Sequence, residues 1–126
     1  MLLELRDITV QYGKALAVQN ISLCINEGEI VSILGANGAG KTTIAKAITG
    51  QKMISAGEIW YRDKQIDGSP AFRISRMGIA HIPSGRMIFG SMSVEDNLKM
   101  GAYIVKDRKR IRSNIEKIYN YFPVLK

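Results

Sequence analysis

The chain has 126 residues, 46% of them apolar and 23% charged, which is the composition of one ordinary globular domain and excludes a wholly disordered or collagen-like chain. Its 18 basic and 11 acidic residues give a net charge of +7, and five of the basic residues lie within residues 106–112. This charge is compatible with phosphate, anionic lipid or nucleic acid as a partner, although such a run is usually a solvated helix face.

Five segments predict β-strands. Residues 20–26 alternate, so that three apolar side chains share one face and Cys24 lies on the other; as the only cysteine, Cys24 excludes an intrachain disulfide and favours a reducing compartment. Residues 29–34 form a short apolar run, the pattern of a strand buried on both faces. The five predicted strands are residues 2–12, 20–26, 29–34, 57–66 (with a turn at 62–64) and 79–82.

Four segments predict α-helices. The first is ended by Gly50, and the second begins at Pro70. Ser93 and Asp96 resemble a capping box at the start of the third helix. The fourth carries an apolar stripe with helical spacing and ends before Pro123. The helices are predicted over residues 41–49, 70–77, from 94 onward, and 107–122.

The octapeptide GANGAGKT at residues 35–42 matches the phosphate-binding pattern G-x-x-x-x-G-K-[ST], between a predicted strand and a predicted helix. Its three glycines permit a tight loop whose backbone N–H groups point at a phosphate, at the positive end of the helix dipole. Lys41 is predicted to reach the β- and γ-phosphates, and the Thr42 hydroxyl to ligate Mg²⁺. The predicted nucleotide contacts are Gly35, Asn37, Gly38, Ala39, Gly40, Lys41, Thr42 and Thr43. The loop alone specifies neither the base nor the use of the bond energy.

Beyond this motif, the chain resembles the N-terminal half of an ATP-binding cassette (ABC) ATPase, the motor subunit of ABC transporters. The resemblance rests on the order of motifs in LRDITVQYGKALAVQNISLCINEGEIVSILGANGAGKTT. It implies an incomplete α/β P-loop domain: an N-terminal antiparallel β-subdomain, the first part of a parallel core sheet, and a loop and the start of a helical subdomain over residues 84–126. It also implies that Tyr12 stacks on the adenine ring and that Val18 packs against the nucleotide.

Residues 82–125 resemble one subfamily, the second ATPase of branched-chain amino acid importers (LivF-type), through the segments IPSGRMIF, MSVEDNL, MGAY and IYNYFPVL. This resemblance implies an importer ATPase for branched-chain or related amino acids that binds ATP and Mg²⁺. It implies a second ATPase subunit, in a homo- or heterodimer, and membrane permease subunits that contact about residues 84–103. The expected location is peripheral, on the cytoplasmic face of the inner or plasma membrane, without direct contact to nucleic acid.

Three alternatives to this interpretation stay open. ABC ATPases for urea, amides or lipids have similar N-terminal halves, although the P-x-G-R-x-x-F pattern at residues 83–89 favours the amino-acid group. A soluble ABC protein that acts on nucleic acid or ribosomes is compatible with the charge of +7. A non-catalytic interaction fragment is the third alternative.

Three residues at positions 81–86 are candidates for a functional role, and one of them bears on catalysis. Ser84 stands where most ABC ATPases have glutamine and this subfamily often has glutamate, a residue that approaches Mg²⁺ and the attacking water. The shorter serine would need a bridging water for such a contact. His81, the only histidine, is predicted to be structural, because the family's catalytic histidine comes much later. Arg86 is predicted to be either a partner contact or a plain surface arginine.

Four motifs of the resembled family are not found in residues 43–126: the signature, the Walker B strand with its acidic residues, the D-loop and the switch histidine. We therefore expect ATP hydrolysis from an intact transport ATPase but not from these 126 residues alone, and assign no catalytic residue within them. Residues 29–34 are expected to lack neighbouring strands, so that their backbone must find water or another chain through partial order, domain swapping or self-association.

Overall fold

The computed structural model describes residues 1–85 and 87–126, in two units, Met1–His81 and Ile82–Lys126. In the first unit the described elements are β1 (Leu3–Tyr12), β2 (Ala15–Ile25), α1 (Lys41–Ile48), β3 (Ala56–Tyr61), β4 (Lys64–Gln65) and α2 (Ala71–Arg76). In the second unit they are α3 (Val94–Gly101), α4 (Arg108–Tyr121) and a 3-10 turn at Pro123–Leu125.

The strands of the first unit form one antiparallel sheet in the order β2-β1-β3-β4. Inside β1 the pairing register shifts at Arg6-Asp7, where Asp7 has a φ of 47° and its N–H donates to Ser22 Oγ at 2.8 Å. Side chains alternate between the two faces of a strand, so this bulge moves the inward-facing side chains from odd-numbered to even-numbered residues. As a result one face of β1 is buried on both sides of the bulge, through Leu3, Leu5, Ile8 and Val10.

The core of the first unit lies between this face of the sheet and the two helices. Ile44 and Ala47 of α1 and Ile74 of α2 belong to the same buried cluster as the inward side chains of β1 and β3. Ile59 and Ile66 are almost fully buried in it. The cluster holds the N-terminal end of α1 beside β2, which positions the loop that precedes the helix.

Two predicted strands are wrong. Residues 29–34 form no strand, and their side chains lie in solvent, with Ile30 98% and Leu34 90% exposed. Residues 79–82 also lack strand structure. A strand needs a hydrogen-bonded neighbour. Within residues 1–85 and 87–126, strand pairing occurs only between members of the four-stranded sheet β2-β1-β3-β4. The apolar run therefore has no strand partner among the described residues, while the predicted self-association stays a prediction.

The other predicted elements are confirmed with small shifts. The strand predicted over residues 20–26 begins earlier, at Ala15, and the segment predicted over 57–66 is the hairpin of β3 and β4. All four predicted helices are present. The antiparallel sheet and its helices fit the predicted α/β class, while the predicted first part of a parallel core sheet is not formed in the described residues.

The second unit is built on α3 and α4. Ser93 caps α3 as predicted, since its Oγ accepts from the Asp96 N–H at 3.1 Å; the hydroxyl then donates to the Asp96 carboxylate at 2.7 Å. An aspartate is shorter than the usual glutamate, so it bonds the serine hydroxyl instead of the serine N–H. A hydrogen bond to Glu95 raises the pKa of the Lys99 ammonium. In the described part of the chain, no helix combines the length and apolar character needed to cross a bilayer.

Candidate functional site

The glycine-rich loop packs directly against the backbone of β2. Gly38 and Gly40 have φ values of +85° and +91°, the left-handed region that side chains disfavour. A Cβ atom on Gly40 would lie 2.7 Å from both the Ala17 carbonyl oxygen and Val18 Cγ2, whereas one on Gly38 would meet nothing within 4 Å. Gly40 is therefore the position at which the loop approaches the sheet most closely, and only glycine permits that approach.

The loop leads into the N-terminus of α1, which begins at Lys41. Among the described residues no side chain caps this helix end, and its first turn contains no acidic residue. The backbone N–H groups of the first turn therefore keep their hydrogen-bonding capacity at the positive end of the helix dipole. They face a groove of about 250 Å³ that is lined by Ala17, Asn37, Gly38, Gly40, Lys41, Thr42 and Thr43.

Lys41 folds back onto the loop. Its Nζ donates to the carbonyl oxygens of Gly35 and Ala36, each at 2.7 Å. An ammonium group has three donors, so one remains for an anion in the groove. A cation, an uncapped helix N-terminus and a loop free of obstructing side chains together suit a phosphate group, and a carboxylate that would repel one is not present in the first turn.

The donor set for a metal ion is small. Thr42 is exposed beside the groove, and among the described residues no group of three or more His, Cys, Asp or Glu side chains could hold a metal ion. Mg²⁺ is commonly held by one or two protein oxygens together with substrate phosphates and water. The residues therefore fit a Mg²⁺ ion that arrives with a polyphosphate, and its ligation by Thr42 stays a prediction.

Two residues that were predicted to contact the nucleotide lie outside the loop. Tyr12 ends β1 and is 45% exposed, which leaves ring surface available for a base. Val18 is only 6% exposed and lies beneath Gly40. Val18 thus supports the loop, and its direct contact with the nucleotide stays a prediction.

Ser84 and His81 lie outside the helices and strands. Ser84 is an exposed residue of the second unit, and its proposed catalytic contact stays a prediction. His81 is partly buried and its Nδ1 lies 2.9 Å from Gln51 Nε2, an arrangement that fits a structural histidine. Arg86 lies outside the described residues.

Sequence reasoning missed two side chains. The Nζ of Lys52 lies 4.4 Å from the centroid of the Tyr12 ring, and no motif indicates this contact because it joins segments forty residues apart in sequence. In the second unit, Asn97 ties the preceding loop to α3: its Oδ1 accepts from the Phe89 N–H at 2.9 Å, and its Nδ2 donates to the carbonyls of Phe89 and Ser93 at 3.1 and 2.9 Å. The only signal for Asn97 is its place in the first turn after the cap.

The amino-acid sequence is similar to one family of proteins over most of its length. A family profile described as ABC transporter matches residues 18–124. The high-affinity branched-chain amino acid transport ATP-binding protein BraG of Pseudomonas aeruginosa is 35% identical over 125 residues, which are 99% of this chain and 53% of that protein. The corresponding LivG protein of Salmonella typhimurium is 39% identical over 97 residues, 77% of this chain and 38% of that protein. The branched-chain amino acid transport ATP-binding protein LivF of Archaeoglobus fulgidus is 31% identical over 102 residues, 81% of this chain and 43% of that protein.

Solved structures agree in fold. An ATP-binding subunit of an ABC transporter superimposes with a TM-score of 0.85 at 22% identity, covering 98% of this chain and 51% of that chain. A nucleotide-free ATP-binding cassette superimposes with a TM-score of 0.75 at 21% identity, covering 95% of this chain and 53% of that chain. These likenesses confirm the predicted fold class. The chain spans about half the length, or less, of the proteins it matches.

Proposed function

Because the chain belongs to the ABC transporter family, we propose that residues 1–126 are the N-terminal part of a single nucleotide-binding domain and bind ATP together with Mg²⁺. The observation that carries this proposal is the loop of residues 35–40, seated on β2 through Gly40 and followed by the uncapped N-terminus of α1. In this arrangement N–H groups and one ammonium converge on a single groove.

The phosphates of ATP bind to donors that are still free at this groove. Lys41 has one ammonium donor left beside its two bonds to carbonyl oxygens, and a phosphate oxygen is a stronger acceptor for it than a neutral carbonyl because it carries negative charge. The free N–H groups of the first turn of α1 bind the remaining phosphate oxygens. The Thr42 hydroxyl would hold a Mg²⁺ ion, which would neutralise part of the phosphate charge.

The nucleobase is recognised by Tyr12 in this proposal. Replacing Tyr12 by alanine removes the ring on which adenine stacks, and stacking of a base on an aromatic side chain is worth about 1–3 kcal/mol. We expect ATP affinity to fall about tenfold, as 1.4 kcal/mol predicts, while the affinity for inorganic triphosphate stays unchanged. Titration of both ligands measures the effect.

The control for this titration is Tyr121→Ala, since Tyr121 is an exposed tyrosine of α4 in the second unit. It should change neither affinity. Equal weakening of ATP and inorganic triphosphate by Tyr12→Ala would mean that Tyr12 supports the strand and does not contact the base.

At the level of the whole protein, we propose the motor subunit of an importer for branched-chain or related amino acids. The proposal follows from relatives that are named as branched-chain amino acid transport ATP-binding proteins. Its partners would be a second ATPase subunit and membrane permease subunits, with a peripheral location on the cytoplasmic face of the membrane. The exposed apolar side chains of Met87, Ile88 and Phe89 support a permease contact within about residues 84–103.

Hydrolysis requires groups that this chain does not provide. Residues 43–126 contain no apolar strand that ends in Asp-Glu and no Ser-Gly-Gly sequence. Several carboxylates accept hydrogen bonds that stabilise the fold. Asp96 accepts from the Ser93 hydroxyl at the start of α3, and Asp107 accepts from a backbone N–H at the start of α4. Asp67 accepts from the Ile59 N–H. Among the described residues, the lining of the groove contains no carboxylate that could position the attacking water.

We accordingly expect no turnover above background from the 126-residue chain. Phosphate release from the purified chain measures it, with Lys41→Ala as the control for contaminating ATPases. Turnover that depends on Lys41 and reaches about 1 per second, an ordinary enzyme rate, would show that the chain contains a complete catalytic site.

A further inference from the structure

The ring of Tyr12 has a cationic neighbour that the proposed nucleotide site does not use. Lys52 Nζ lies 4.4 Å from the ring centroid, within the range of a cation–π interaction. Tyr12 as a whole remains 45% exposed with this ammonium in place. Lys52 therefore covers part of the ring surface and leaves another part open.

The backbone around Lys52 is held at both ends. The N–H groups of Gln51 and Lys52 donate to the Lys46 carbonyl at 2.9 and 3.2 Å, which fixes the turn after α1. The N–H and the hydroxyl of Ser55 donate to the Thr9 carbonyl of β1 at 2.7 and 3.0 Å. The segment that carries Lys52 is thus anchored to the strand that ends in Tyr12.

The phosphate loop and the segment after Lys52 meet the sheet at different neighbours of β1. The loop packs against β2, where Gly40 meets Ala17, whereas the Lys52 segment leads into β3, where Ala56 pairs with Thr9. In the sheet order β2-β1-β3-β4, β1 separates these two neighbours. The segment that follows Lys52 therefore joins the sheet on the β3 side of β1, whereas the phosphate loop meets the sheet at β2.

We propose that Lys52 is a positioning residue for nucleobase recognition, which holds the Tyr12 ring and leaves the open part of the ring surface for the base. This inference rests on the proposed stacking of adenine on Tyr12. A half-exposed tyrosine that turns freely must be ordered when the base binds, and that ordering lowers affinity. The Lys52 ammonium orders the ring beforehand.

The test compares ATP with inorganic triphosphate for Lys52→Met, which keeps the chain length but removes the cation. A cation–π interaction at an exposed site is worth about 0.5–1 kcal/mol, so ATP affinity should fall about two- to fivefold more than triphosphate affinity. Lys52→Arg keeps a cation and should restore the wild-type ratio of the two affinities. Lys64→Met, at an exposed lysine of β4, removes the same charge and should leave that ratio unchanged.

The same substitution in a Tyr12→Ala background shows whether Lys52 acts through the ring. There, Lys52→Met should change ATP and triphosphate affinity by the same factor. An equal loss for both ligands in the wild-type background, or a gain in ATP affinity because the lysine competes with the base, would overturn the inference. Failure of the wild-type chain to bind ATP would overturn the proposed function itself. If ATP affinity depends on Tyr12 but not on Lys52, only the inference about Lys52 is overturned.

Discussion

Replacing Gly40 by alanine should lower the free energy of unfolding of the first unit by about 2–5 kcal/mol, the largest stability effect that we expect at this site. A left-handed backbone costs a residue with a side chain about 1–2 kcal/mol. The new methyl group would also lie 2.7 Å from the Ala17 carbonyl oxygen and from Val18 Cγ2. Such overpacking typically costs about 1–3 kcal/mol more.

Gly38→Ala is the matched control, because Gly38 has a similar φ but nothing within 4 Å of the added methyl group. The free energy of unfolding of Gly38→Ala should fall only by the cost of the left-handed backbone, about 1–2 kcal/mol. Urea unfolding followed by the fluorescence of Trp60, the only tryptophan and a residue of β3, measures both variants. Equal unfolding free energies for the two would contradict the close approach of the loop to β2.

Replacing Lys41 by alanine should weaken ATP binding at least about tenfold, or about 1.4 kcal/mol. Lys41 is the one side-chain cation that lines the groove at the N-terminus of α1 in the described residues, and it is held there by the Gly35 and Ala36 carbonyls. Its removal leaves the N–H groups of the loop and the helix, so binding should weaken and not vanish. Direct titration with ATP measures the change.

Lys46→Ala provides the control for Lys41→Ala, because Lys46 lies in the last turn of the same helix, away from the groove. It removes the same charge and should leave ATP affinity within about twofold, since Lys46 does not line the groove and salt screens its charge. Equal affinities of the wild type and Lys41→Ala would exclude Lys41 from the phosphate site.

The phosphate loop was predictable because its geometry is local. Glycines at fixed spacing, a lysine and a following helix bring N–H groups and a cation together without help from distant residues. The sheet was predictable only in part. The bulge at Asp7 changes which side chains of β1 face the core. An alternating pattern of apolar and polar residues does not reveal where such a bulge lies.

The remaining features depend on contacts distant in sequence. Residues 29–34 have the composition of a buried strand, but a strand forms only where a neighbour pairs with it. The contact between Lys52 and Tyr12 depends on how the turn after α1 is anchored to β1, and the sequence contains no pattern for such an anchor. Pattern reasoning therefore identified the candidate site more fully than the sheet around it.

Equilibrium titration of the 126-residue chain with ATP in the presence of Mg²⁺ tests the central claim most directly, with inorganic triphosphate as the competitor. The account predicts saturable binding of ATP that inorganic triphosphate displaces, because both ligands occupy the groove at the start of α1. A chain whose Trp60 fluorescence shows a folded first unit but which binds no ATP, or binds ATP that triphosphate does not displace, would contradict it.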